Sequence, residues 1–167
     1  MNSFIRQILR VSFGKNPKLT FLRLVLVALL SFLIFRYLLL PVRIAGESMK
    51  PTYRNNSINF IYTLKYSQCL PDYGDIVAVS MAGRRVMLLK RVVALPSDTV
   101  AFQDGQLYIN GRLKKEPYLV YDSDWDMEQI KLESDEFFVV GDNRSMPKKN
   151  HVFGRVKLMR IIGAPLL

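Results

Sequence analysis

From Leu19 to Leu40 nearly every position is apolar, and only Thr20, Arg23, Ser31 and Arg36 break the run. The uncharged centre, Leu24 to Phe35, is 12 residues, short of the roughly 20 a helix needs to cross a bilayer. Arg23 and Arg36 flank that centre, where long basic side chains reach the interface. Counted this way, the pattern predicts one transmembrane helix, ended by Pro41. It divides the chain into a basic tail (1–18), an anchor (19–41) and a domain (42–167). A cleaved signal peptide would carry a small-x-small site after the core, whereas the chain continues Leu38-Leu39-Leu40-Pro41-Val42-Arg43. A buried core helix would have to satisfy Arg23 and Arg36 inside the protein, at high cost.

Beyond Ile44 the pattern changes to short runs rich in Val, Ile, Phe and Tyr, separated by turn residues. Strands are predicted at 58–63, 75–81, 86–95, 99–103, 107–109, 136–140 and 155–162. Ala82-Gly83, Asp104-Gly105 and Asn110-Gly111 supply tight turns. Residues 114–131 mix acidic and aromatic residues with Pro117 and are expected to form an exposed loop. The predicted class is all-β: an antiparallel, partly closed domain on one N-terminal helix. Phe4, Ile5, Ile8, Leu9 and Phe13 would be the apolar contacts of an amphipathic helix in the tail; a solvated tail is the other reading.

The net charge of +10 raises the question of nucleic acid. Residues 1–43 hold seven basic residues and no acidic one, while the remaining 124 hold 17 basic and 14 acidic. The excess therefore flanks the apolar run, which removes the main support for nucleic-acid binding. It predicts a cytoplasmic N-terminus, with the β domain on the far side of the membrane. Cys69 is the single cysteine, so no intrachain disulfide forms. Neither a Cys/His cluster nor a phosphate-binding glycine loop is present, so no metal or organic cofactor is expected.

Two stretches carry candidate chemistry. In Gly46-Glu47-Ser48-Met49-Lys50-Pro51-Thr52, Gly46 permits an unusual backbone angle, and Pro51 restricts itself and Lys50. Such a turn can fix a serine with backbone N–H groups free to stabilise an oxyanion. A serine hydroxyl needs a base, and His151, the only histidine, has no recognisable acidic partner nearby. Alternation along Val86–Leu95 puts Lys90 on a face with Val86, Leu88, Val92 and Ala94. A lysine desolvated there would fall toward the range of a working base; a lysine snorkelling from a strand rim would not. Arg91 falls on the opposite face, which must meet water, lipid or a charged partner.

The order of motifs resembles type I signal peptidases: Ser48-Met49-x-Pro51-Thr52 after an anchor, Gly74-Asp75-Ile76-Val77, Lys90-Arg91-Val92-Val93-x-Leu95-Pro96-x-Asp98, an Asn110-Gly111 hairpin, Gly141-Asp142-Asn143-Arg144, and Phe153-Gly154. The resemblance covers roughly 19–160 and implies a Ser–Lys dyad: Ser48 attacks the scissile carbonyl and neutral Lys90 takes its proton. The Ser48 N–H would help form the oxyanion hole, with Gly46, Asp142, Arg144 and Ser145 as site support. A lysine at 90 resembles the bacterial and organellar branch. The implied partners are preprotein signal peptides and membrane lipid, with small residues at the first and third positions before the cut; oligomeric state stays open.

Several positions depart from that family's pattern. Gly46 removes a side-chain oxyanion donor found in many Gram-negative members. Asn56-Ser57 stands for Gly-Asp, and Ser97 for the glycine after Leu-Pro. After Arg144, Pro147 takes the place of a serine that orients the lysine, Lys149 replaces an Asp, and His151 replaces its Arg partner. Ser145 is then the candidate to supply the lost hydroxyl. Two readings follow: an active peptidase with a rebuilt loop, such as those serving conjugative transfer, or an inactive membrane-tethered relative that binds exported peptides. A third, a self-cleaving repressor of related β fold, would need a DNA-binding helix pair where the apolar run stands.

Overall fold

The computed structural model describes residues 16–82, 86–150 and 152–166. Most of the basic tail, the Gly83 turn and His151 lie outside them. The chain divides into two units, one through Leu38 and one from Leu39 onward.

The first unit is helical. Asn16 caps α1 (Pro17–Leu33), its side chain accepting from Lys18 N at 3.2 Å, and Pro17 starts the helix, where its missing N–H costs nothing. A π-helical turn, Ile34–Leu38, extends it to 22 residues, or roughly 33 Å. No residue of α1 is buried, unlike a core helix of similar composition. The helix is long and apolar enough to cross a membrane. It stops at Leu38, so Pro41 does not end it. Leu39–Arg43 is instead the first strand, β1. An unbroken apolar run hid this boundary, since periodicity cannot separate a membrane helix from a following strand.

The second unit holds two open antiparallel sheets. The larger runs in the order β1, β2 (Ile58–Tyr62), β11 (Ile161–Pro165), β3 (Ile76–Ala82), β4 (Val86–Ala94), β9 (Glu136–Val140) and β10 (Gly154–Lys157). Pro41 sits in β1 on the sheet edge, where a residue without an N–H is tolerated. The smaller sheet runs β7 (Arg112–Leu113), β6 (Gln106–Ile109), β5 (Thr99–Gln103) and β8 (Met127–Lys131). Val93, Phe102, Leu107, Trp125, Phe138 and Val140 are buried in one core joining the two sheets. Trp125 stacks on Phe153 with centroids 5.2 Å apart.

Two expectations are corrected. Within 114–131, Met127–Lys131 pairs with β5 as an edge strand, and Trp125 is only 2% exposed. The polar Glu128 and Gln129 of this largely exposed strand masked its pattern. The run 155–162 divides into β10 and β11, which lie at separate places in the large sheet, because a 3-10 turn at Leu158–Arg160 redirects the chain.

The Asp104-Gly105 hairpin forms as expected, with φ of +48° and +74°, the left-handed pair of a type I′ turn. A Cβ on Gly105 would lie 1.9 Å from the Ser123 carbonyl oxygen. Gly105→Ala therefore meets backbone rather than a yielding side chain, and is expected to cost more than about 2 kcal/mol in denaturant unfolding. Asn56 and Ser97, where the resembled family places glycine, have φ of +65° and +69°. Asparagine tolerates this region; serine is less at ease there. Ser97→Gly is expected to raise stability by up to about 1 kcal/mol, read as a higher unfolding midpoint.

Candidate active site

The turn carrying Ser48 is closed at its base by Ile44 N donating to Ser57 O (2.9 Å) and Asn56 N to Ile44 O (2.7 Å). Gly46 turns the chain at φ +100°, and its N–H donates to Asn55 Oδ1 at 3.0 Å. Lys50 N bonds Glu47 O (3.1 Å) and Tyr53 N bonds Met49 O (2.9 Å). Buried Met49 anchors the turn, leaving Ser48 half-buried. The Ser48 N–H has no hydrogen-bond partner among the described residues, as an oxyanion donor requires.

Lys90 reaches this turn from β4. It is 2% exposed, and Nζ donates to Ser48 Oγ at 2.7 Å. Burial lowers its pKa from 10.5 to about 8, partly opposed by the negative charge of Asp142. The snorkelling alternative for Lys90 is thereby excluded: its amine is inside, beside the hydroxyl.

The Gly141–Arg144 segment fastens the turn. Asn143 N donates to Ser48 O at 2.9 Å, and Asn143 Nδ2 to Glu47 O at 3.2 Å. Ser145 Oγ donates to Asn143 Oδ1 at 2.7 Å, which sets the amide's orientation. Ser145 thus supports Asn143 and does not supply the hydroxyl expected beside Lys90. Asp142, fully buried, accepts two bonds from Arg91, Nε at 2.8 Å and Nη2 at 2.7 Å. Thr52 Oγ1 donates to the same carboxylate. The charged partner demanded by the Arg91 face is therefore Asp142. Arg91 Nη1 also donates to Gly74 O (2.7 Å), and the guanidinium lies 3.9 Å from the Tyr118 ring centroid.

Tyr118 hydroxyl donates to Glu116, which receives Arg144 Nη1 and Nη2 at 3.1 and 2.6 Å. Arg144 is fully buried and also donates to Gly141 O. Glu116, Tyr118 and Asn143 were not anticipated as site residues. Glu116 and Tyr118 lie in a segment read as an exposed loop, and no spacing links them to Arg144, 28 residues from Glu116. The rebuilt stretch after Arg144 is braced differently from the resembled pattern. Trp125 Nε1 donates to Met146 O at 3.0 Å, and Lys148 Nζ donates to Asp126 O.

The site opens on two grooves. One, beside Ser48, is walled by Ile44, Met49, Ile61, Ala78, Met87 and Leu89. The other borders Lys90. Strand β9 meets β4 only from Arg91 to Ala94, so the Val86–Lys90 edge away from β3 has no strand partner among the described residues.

A half-buried serine hydrogen-bonded to a buried lysine, beside an open strand edge, suits peptide-bond hydrolysis. The family model "Signal peptidase, peptidase S26" matches residues 18–166. The chain belongs to this signal peptidase family. Signal peptidase I S of Bacillus subtilis strain 168 is 36% identical over 141 residues, 76% of this chain and 75% of that protein. Signal peptidase I P of B. subtilis subsp. natto is 34% identical over 151 residues, 81% and 80% of the two chains. A crystal structure of a signal peptidase I from Enterococcus faecalis is 28% identical and covers 56% of this chain and 95% of its own, with a TM-score of 0.44. Membership of the S26 family makes this chain a hydrolase of the serine endopeptidase class. Among the described residues no group of three or more metal-ligating side chains occurs.

Proposed function

We propose that this S26 peptidase is held in the membrane by the Pro17–Leu38 helix and removes signal peptides from exported preproteins, with Ser48 as nucleophile and Lys90 as general base. The observation that carries the proposal is the 2.7 Å contact between a buried lysine amine and the serine hydroxyl. Neutral Lys90 accepts the Ser48 proton as Oγ attacks the scissile carbonyl carbon. The oxyanion that forms is met by the Ser48 N–H. Collapse breaks the C–N bond, and the Lys90 ammonium returns its proton to the leaving amine. Water then attacks the acyl ester as Lys90 takes its proton, and Lys90 hands that proton to Ser48 Oγ as the C–Oγ bond breaks, freeing the hydroxyl.

The substrate would lie extended along the free Val86–Lys90 edge, adding main-chain hydrogen bonds. The apolar groove beside Ser48 suits small side chains before the cut. The basic residues before the helix favour a cytoplasmic N-terminus and a catalytic domain on the outer side of the plasma membrane. An inactive peptide-binding relative would have no need of the buried dyad geometry.

The test is incubation of the detergent-solubilised chain with a panel of preproteins, general and conjugation-related, beside Ser48→Ala, with products read by mass spectrometry. Cleavage after a small residue, absent in Ser48→Ala, supports the reading; a folded protein that cuts none of them contradicts it.

A further inference from the structure

The two grooves at the dyad are chemically unlike. The groove containing Ser48 is lined mostly by apolar side chains, with Arg43 as its one charged lining residue. The groove containing Lys90 has an apolar floor, including Leu88, Val139 and Val156, and a cationic rim of Arg155, Lys157 and Arg160. All three rim residues are exposed.

The mechanism proposed above decides which part of a substrate lies in each. The acyl carbon bonds to Ser48, and the leaving nitrogen takes its proton from Lys90. The segment after the cut therefore starts beside Lys90. Only the second groove is lined by Lys90, and it does not include Ser48.

The rim charges are incompletely answered within the chain. Arg155 meets Glu136 at a long 3.8 Å, and Lys157 is shared between Glu133 (3.8 Å) and Asp135 (3.5 Å). Arg160 has no ion pair among the described residues. Glu136 is the one carboxylate lining the groove. The groove lining itself thus sets three rim cations against one carboxylate over an apolar floor, with Glu133 and Asp135 outside it, so a substrate carboxylate lying in the groove gains and an ammonium loses.

We propose that this groove receives the first residues of the released mature chain, and that Arg155 and Arg160 make the enzyme favour substrates carrying Asp or Glu there over those carrying Lys or Arg. The inference rests on the Ser48–Lys90 peptidase reading and adds a specificity determinant on the leaving side. Each exposed pair contributes modestly, so two together give a preference of roughly tenfold, weakening with salt.

The experiment takes one preprotein with its signal segment fixed and places Glu, Gln or Lys at the second to fourth positions after the cut. kcat/KM is measured with the detergent-solubilised chain, with Arg155→Glu/Arg160→Glu, and with Lys131→Glu on the small sheet as a charge reversal away from the groove. The expected Glu-to-Lys ratio is about ten in the parent and in Lys131→Glu, and below one in the double reversal. A ratio near one in the parent, or one that survives the double reversal, overturns the proposal while cleavage of the Gln substrate leaves the peptidase reading standing. Failure to cut the Gln substrate overturns both. Anionic phosphatidylglycerol vesicles test the other occupant: if the double reversal weakens vesicle binding and slows all three substrates equally, the rim serves lipid and the proposal falls.

Discussion

Lys90→Met is expected to abolish cleavage and, at neutral pH, to make the protein more stable. Loss of the base removes the group placed to take the Ser48 proton, since among the described residues Ser48 Oγ is hydrogen-bonded by Lys90 Nζ alone. The rate should fall by at least about 10⁴-fold, as when one member of a nucleophile–base pair is removed. Stability moves the other way because the folded state resists charging this amine. Its pKa falls from 10.5 to about 8, so the unfolded chain holds the proton more firmly. Above pH 10.5 neither state carries the charge and nothing is lost. As pH falls, stability declines, and below about 8 the folded state bears the whole penalty, roughly 3 kcal/mol. Methionine keeps the apolar stem without that charge, so the gain should be about 2–3 kcal/mol at pH 7, vanishing above pH 10.5. Chemical denaturation at pH 7 and 10.5 reads both parts; lower stability at pH 7 would mean that the amine is not desolvated.

Asp142→Ala should have the largest destabilising effect of any single change at the site, about 3–5 kcal/mol, because it leaves the Arg91 guanidinium buried without its counter-ion. Thr52 loses its acceptor in the same step, loosening the turn that carries Ser48. Replacing both charges, Arg91→Met with Asp142→Leu, should recover much of the loss, because a buried pair is worth little against apolar residues of similar size. Asp142→Asn tests the electrostatic part. The carboxylate raises the Lys90 pKa, so removing its charge should shift the activity midpoint toward lower pH. Equal stability of Asp142→Ala and the parent would show that the buried pair is absent in solution.

These two effects fall on residues of very different legibility. Ser48 and Lys90 stand in recognisable motifs, but alternation along β4 left open whether Lys90 points inward. Only the fold brings its amine to a hydroxyl 42 residues earlier in the chain. Arg91 announced a need for a partner without naming it; Asp142, 51 residues on, satisfies it. Most of the large sheet was legible because its strands are short runs rich in Val, Ile and Phe bounded by turn residues, as in β9, which is buried at every position. β8 was not, because an exposed edge strand has no buried face to write into the sequence. Glu116 and Tyr118 were missed because a polar residue's burial depends on a distant counterpart, here Arg144 and Arg91. Nothing in the sequence fixes where the Ser145 hydroxyl goes; in the fold it bonds Asn143, while Pro147 and the following 3-10 turn carry the loop toward Trp125 and Asp126.

The central claim is that Lys90 works as a neutral base, and the pH dependence of kcat/KM on a cleaved preprotein tests it most directly. Activity should rise with pH on a single proton, with a midpoint near 8, and Asp142→Asn should bring that midpoint down. A midpoint near 10.5, the value of an ordinary lysine, or a rising limb between 6 and 7 that persists in Lys90→Met, would contradict the account.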